Sequence, residues 1–319
     1  SSGSFVTLEL TAGQIEDLGS GRDPIVRGIE LYEDLTDELD EAMVATSVDP
    51  WAMDYGLTRG DDIAIYMTES GCPKEEANLE QYYRLDSWTG NATNHATTVG
   101  SIAKGVAPQS WLYCRTDGTL PTQLDLDIGF TVTTWPEDYP TLPIEVVTMS
   151  AGYNSSTDYR IMDREWDQFV YDEKIPAFKS AGNLGNTTGN VTTPGKAVNV
   201  ITVGNYDDDT DTINSQSSFG DPVTRNDKPE IVAPGTKIFI DGVNKGSGTS
   251  FAAPHAAAFA ADVMSQSKWF TRKPALMKAL MLASATDPII GDCSSTFFPT
   301  VPCTPAPITT ESIPDKTGV

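Results

Sequence analysis

The spacing of hydrophobic and polar positions along the chain changes period several times, and each change marks an element. Leu31, Leu35, Leu39 and Met43 recur every four residues, which draws one apolar stripe along a helix. Glu30, Glu33, Asp34, Asp37, Glu38, Asp40 and Glu41 crowd its other faces, a solvated surface rather than a metal or partner site. Ile63–Met67, Trp111–Cys114, Ile144–Ser150, Pro176–Ser180 and Val198–Gly204 are apolar runs of strand length. Between them Val99, Ile102 and Ala103, and later Tyr159, Met162, Trp166, Phe169 and Val170, return at helical spacing. Asn94 is the expected cap of the first of these helices. From Phe251 to about Met264 the chain is rich in alanine and apolar all round, which suits a buried helix, and Pro274–Ala285 reads as a last amphipathic one. Strands alternating with helices over residues 50 to 290 predict an α/β fold. We expect a three-layer sandwich, a mostly parallel central sheet with helices on both faces, that binds ligands outside the carboxyl ends of its strands.

Composition bounds the partners. The 319 residues carry a formal charge of −24, with a pI near 4.2, so the long-range field repels nucleic acid and anionic membrane and favours cationic peptides. No apolar run approaches the roughly 20 residues of a bilayer span, since Pro254 and His255 interrupt one candidate and Lys278 the next. We expect no membrane insertion and a monomer. Cys72, Cys114, Cys293 and Cys303 predict two disulfides in a secreted or otherwise extracytoplasmic protein. Three pairings are open, Cys293 with Cys303 would close a short proline-containing loop, and four free thiols in a cytosolic protein are the alternative. Asn91, Asn154, Asn186 and Asn190 begin glycosylation sequons, which matter only in a eukaryotic secretory route. Proline, threonine and serine dominate after Asp287. These shifts divide the chain into an acidic helical extension at 1–48, an α/β domain at 49–290, and a disulfide loop with a Pro/Thr-rich tail at 291–319.

The chemistry centres on Lys245-Gly-Ser-Gly-Thr-Ser-Phe-Ala-Ala-Pro-His255. Glycines 246 and 248 allow a sharp turn, so Ser250 falls at a helix start, where free N–H groups and the positive end of the dipole face it. Pro254 is expected in the first turn, where its missing N–H has no partner to lose. Gly248 to His255 meet every fixed position of the Gly-Thr-Ser-x-Ala-x-Pro-His pattern, and the segment therefore resembles the nucleophile segment of the subtilisin-like serine peptidases. Ala252 stands where the Gly-x-Ser-x-Gly elbow of α/β-hydrolases needs its last glycine, which argues against a lipase-like reading.

Other segments carry the same resemblance. His95 to Ala103, followed by Gly105-Val-Ala-Pro108, is similar to the family's histidine segment, with Ala96 in place of a glycine and one residue fewer before Val99 and Gly100. Glu69-Ser-Gly71 falls where the family has a catalytic aspartate. Ser150-Ala-Gly152 resembles the substrate-binding edge, and Ser180-Ala-Gly-Asn-Leu-Gly185 the oxyanion segment. The resemblance implies Ser250 as nucleophile, His95 as base, Glu69 as the acid that orients it, and Asn183 as oxyanion donor. Asp86 is an alternative carboxylate for the acid's role. Ser150, Ala151, Gly152, Ala181 and Gly182 would line the substrate cleft. His255, more than a turn beyond Ser250, is read as structural.

A serine endopeptidase acting on protein or peptide is the function this implies, with no required cofactor. Asp207, Asp209 and Asp211 are candidate ligands for a structural Ca²⁺, although the run lacks the glycine and terminal glutamate of an EF-hand loop. Three other readings stay open. The acid-acting sedolisins use Ser, Glu and Asp, but do not explain His95 and have aspartate where Asn183 stands. A ligase or cyclase would resolve the acyl-enzyme with a peptide amine. An inactive binding or scaffold protein on this fold would account for the altered acid and histidine segments.

Overall fold

The computed structural model describes residues 59–77, 79–85, 92–115, 120–126, 142–153, 159–185, 191–210, 212–220, 228–285, 289–290 and 307–308. The predicted helix at 31–43, Asp86, Asp211, Cys293, Cys303 and the four sequon asparagines lie outside them.

Seven parallel strands form the body of one sheet. They are β1 (Ala64–Thr68), β2 (Tyr82–Arg84), β3 (Trp111–Arg115), β4 (Ile144–Met149), β5 (Ala177–Ser180), β6 (Ile201–Asp207) and β8 (Ile231–Pro234), ordered β2–β3–β1–β4–β5–β6–β8. Strand order turns back at β1, which lies between β3 and β4, and ligand crevices open at such a reversal. β7 (Thr212–Ile213) pairs antiparallel with the end of β6, and β9 (Ile238–Ile240) forms a hairpin with β10 (Val243–Gly246). At the sheet edge β11 (Ile289–Ile290) joins β7 and pairs with β12 (Pro307–Ile308), so two residues of the expected tail belong to the sheet.

Every residue of β1 and β4 is buried, as befits strands covered on both faces. One face packs on α1 (Asn94–Val106), α4 (Thr249–Gln266) and α5 (Pro274–Ser284), through Val99, Ile102, Ala253, Ala257, Met264 and Met277. The other packs on α2 (Gln123–Leu126) and α3 (Ile161–Glu173), through Leu126, Trp166, Phe169 and Val170. This is the three-layer α/β sandwich expected from the alternation of elements. The small side chains of α4 let its backbone approach the sheet closely, so it touches β4, β5, β6 and β8 together.

Three local expectations need correction. Thr93, not Asn94, caps α1, because its extended backbone lets the hydroxyl oxygen accept the Ala96 N–H at 3.0 Å. Pro254 is the sixth residue of α4 rather than part of its first turn, so the Ser250 carbonyl has no helical N–H to receive. The strand read from Val198 begins only at Ile201, because the Val198 and Asn199 N–H groups bind the Asp167 carboxylate on α3, at 3.0 and 2.6 Å.

Candidate active site

Glu69 directly follows β1, Ser150 directly follows β4 and Asn183 comes after Ala181 and Gly182 at the exit of β5, so three parallel neighbours deliver these residues to one end of the sheet. The Glu69 carboxylate is buried and spans two elements. Its Oε1 accepts the Ser150 N–H at 2.7 Å, and its Oε2 lies 3.3 Å from His95 Nδ1. His95 is the second residue of α1, and its side chain is 41% exposed. The Glu69 carboxylate raises the imidazole pKa above its usual 6.5, outweighing the burial that lowers it.

A covalent tie holds this pair in place. Cys72 and Cys114 form a disulfide with Cα atoms 5.9 Å apart, which fastens the turn after Glu69 to β3. The Cys72 carbonyl then accepts the Thr93 N–H at 3.0 Å, and Thr93 caps the helix that bears His95. Thus Glu69 and His95 hang from one cross-linked junction. Of the three pairings open in the sequence, this one links Cys72 with Cys114; Cys293 and Cys303 lie outside the described residues.

Ser250 is the second residue of α4, and its hydroxyl donates to the Ser150 carbonyl at 2.9 Å. The next residue, Phe251, lies beside the His95 ring, with ring centroids 6.0 Å apart. Asn183 is held by Thr249, whose N–H and hydroxyl both donate to Asn183 Oδ1, at 2.9 and 3.0 Å. The Thr249 hydroxyl in turn accepts the Gly182 N–H at 3.0 Å. Because Oδ1 takes both donors, the amide orientation is set and Nδ2 is left to donate. It points toward Gly248, where an added Cβ would come within 3.3 Å of it. Thr249 is a site residue that motif reasoning passes over, although it is the threonine of the same Gly-Thr-Ser triplet.

The two expected substrate edges differ. The Ala181 and Gly182 carbonyls already accept N–H groups from Thr192 and Ser218, each at 2.9 Å. Both carbonyls are thus bonded within the fold. Ala151 and Gly152 lead away from β4 with Gly152 exposed, and Tyr153 ends the segment by donating its N–H to the Thr193 carbonyl at 3.1 Å. His255 lies buried on α4 with Nδ1 2.9 Å from the Phe251 carbonyl, and burial lowers its pKa to about 4. It is a neutral core residue.

Of the acidic run, Asp209 pairs with Lys237 at 2.5 Å and Asp211 lies outside the described residues. Among the described residues no group of three or more His, Cys, Asp or Glu could hold a metal ion, and no helix is long and apolar enough to cross a membrane.

The sequence profile of the Subtilase family matches residues 78–299, more than half of the chain. The chain belongs to the subtilase family. The serine protease AprX of Bacillus subtilis (strain 168) is 33% identical over 162 residues, covering 41% of this chain and 36% of that relative, so the chain spans well under half its length. Among solved structures, the prenylagaramide maturation protease PagA superposes with a TM-score of 0.55 at 24% identity, covering 75% of this chain and 89% of PagA. A cold-adapted subtilisin-like serine proteinase superposes at 0.53 with 22% identity, covering 75% and 88%. These two likenesses establish the subtilisin-like fold.

Proposed function

We propose that this subtilase is a serine endopeptidase that cleaves peptide bonds through an acyl-enzyme, with Ser250, His95 and Glu69 as its triad. The observation that carries the reading is the approach of Glu69 Oε2 to His95 Nδ1, 3.3 Å apart. A serine hydroxyl needs a base, and a carboxylate on the far side of the imidazole sets its tautomer and stabilises the cation formed on proton transfer. In this scheme Ser250 Oγ attacks the peptide carbonyl carbon and His95 takes its proton. The oxyanion receives the Asn183 amide and the Ser250 N–H. The C–N bond then breaks as His95 returns the proton to the leaving amine, and water repeats the sequence on the ester. The disulfide fits an oxidising compartment, and we take the enzyme to act outside the cytoplasm on an extended peptide laid along Ser150 to Gly152.

The Ser250 hydroxyl bond to the Ser150 carbonyl favours a second reading, an inactive binding protein on the same frame. Rotation about the Ser250 Cα–Cβ bond separates the two. Labelling with a fluorophosphonate probe decides between them: we expect covalent labelling that Ser250→Ala and His95→Ala each abolish. Failure of the wild-type protein to label anywhere from about pH 4 to 9 would establish the binding protein instead.

A further inference from the structure

The bridge between Cys72 and Cys114 joins the sheet to a turn. Cys114 lies inside the sheet, where β3 is paired on both sides, opposite Met67 of β1 and Arg84 of β2. Cys72 lies beyond the strands, three residues after Glu69, with an isolated bridge to Ala92. That turn is also the seat of α1. The Cys72 carbonyl accepts the Thr93 N–H at 3.0 Å, and the Lys74 N–H donates to Thr97 Oγ1 at 2.9 Å. Pro73 packs so closely that a Cβ added to Gly100 would come within 2.9 Å of its Cγ. A shift of Cys72 is therefore passed to the helix start that bears His95.

Reduction would loosen the turn without requiring the chain to unfold. Both cysteines are fully buried, so a reductant reaches them through a local opening, and the two thiols then occupy an apolar setting that suits them. The Gly71 carbonyl lies 3.7 Å from Cys114 Sγ, an acceptor for one of the new S–H groups. The pairings of β3 do not depend on the bridge. What goes is the cross-link that fixes the turn to β3. The 3.3 Å contact of Glu69 with His95 has little slack, because misplacing a reacting group by about 1 Å costs on the order of 10²-fold in rate.

We propose that the Cys72–Cys114 bridge is a redox control of this site: joined, the subtilase is competent, and with both cysteines reduced it stays folded but nearly idle. This regulation deepens the peptidase reading and rests on it. The chemistry is thiol–disulfide exchange with a small dithiol. A thiolate of the dithiol attacks one cysteine sulfur, the Cys72–Cys114 bond breaks, and the other cysteine leaves as a thiolate that takes a proton. The second thiol of the reagent then attacks the mixed disulfide, which releases the first cysteine and closes the reagent into a cyclic disulfide. Two electrons pass to the protein, and exchange with glutathione disulfide takes them back. A subtilase controlled in this way is silent in a reducing compartment and active in an oxidising one.

The test uses the full chain carrying Cys293→Ser and Cys303→Ser, so that only this pair can respond, treated with dithiothreitol and then with glutathione disulfide. We expect kcat for a peptide substrate to fall about 10²-fold on reduction with little change in KM, helix content to persist, and activity to return on reoxidation. Adding Cys72→Ser and Cys114→Ser should hold the protein at the reduced level and make it deaf to both reagents. A histidine titration followed by NMR needs no turnover. Reduction should bring the His95 pKa down toward 6.5, because the Glu69 hydrogen bond is the largest cause of its rise, while His255 stays at about 4. If no peptide is cleaved in either state, the peptidase reading fails by itself and this titration still decides. A bridge that resists dithiol until the chain unfolds, loss of helix together with the bridge, equal turnover in the two states, or an unchanged His95 titration would each overturn the redox control.

Discussion

Glu69 Oε2 lies 3.3 Å from His95 Nδ1 while the other oxygen of the same carboxylate holds the Ser150 N–H at 2.7 Å. One side chain therefore ties His95 to the strand end whose carbonyl receives the Ser250 hydroxyl. The longer arm of glutamate makes this double contact from within a fully buried strand exit. Glu69→Gln keeps the shape and removes the charge, so the imidazole loses the partner that selects its tautomer. We expect kcat to fall by about 10⁴-fold, the effect known for amidating the acid of a serine peptidase. A loss of less than about threefold, measured with a good peptide substrate, would move the acid's role elsewhere.

If His95 is the base, as proposed, its raised pKa should set the acid limb of the rate profile. The base must be neutral to accept a proton, so kcat/KM should decline as pH falls through a value above 6.5. Glu69→Gln should move that limb to lower pH, since the carboxylate is the largest cause of the upward shift. For stability the sign is opposite. A histidine whose folded pKa is raised contributes stability fully below its unfolded value near 6.5, and loses it as pH rises through the folded value. Denaturant titrations of wild type and His95→Ala across this window should converge at the alkaline end.

Asn183 is predicted to donate to the oxyanion, and Thr249 to aim it. Asn183→Ala should lower kcat about 10²–10³-fold with little change in KM, a range taken from loss of the corresponding donor in a subtilisin. Thr249→Val deletes one of two donors to Asn183 and the only hydroxyl that receives the Gly182 N–H. It should destabilise the fold by about 1–3 kcal/mol and lower kcat, whereas Thr249→Ser should restore both. Equal activity in Val and Ser variants would show that Asn183 needs no such support.

The Cys72–Cys114 bridge closes a loop with a sequence separation of 42 residues. Replacing both cysteines by serine should cost ~2–4 kcal/mol of stability, read from chemical denaturation. Because the same junction carries the Thr93 cap of α1, turnover should be lost at a lower denaturant concentration than helix content. Coincident loss would mean that the bridge stabilises the fold as a whole without separately positioning His95.

The hydrophobic period alone marks β1, β3, β4, β5, α3 and α5 close to their true ends, because strand exits and helix faces leave their record in which side chains are apolar. The boundaries that slip are those decided by distant partners. Val198 reads as strand by its neighbours in the chain, but Asp167, on a helix 31 residues earlier, takes its N–H. Thr93 and Asn94 are both good caps by type, and the Cys72 carbonyl decides between them by holding the backbone of Thr93 extended.

The residue types of the site, a serine after glycines, two histidines of which one sits in an apolar helix, and an asparagine among glycines, are set by the linear order alone, because nucleophile, base and donor chemistry belongs to the side chain. Their convergence is not. Parallel strands bring residues 69, 150 and 183 to one end of a sheet only once the crossovers are made, and the pairing of Cys72 with Cys114 depends on the same closure. Lys179 shows the limit most plainly: within the chain it is a cation in an apolar strand, and only folding removes it from water and surrounds its Nζ with Ser180 and Thr192 oxygens, since burial and the electrostatic field around a charge are properties of the packed whole.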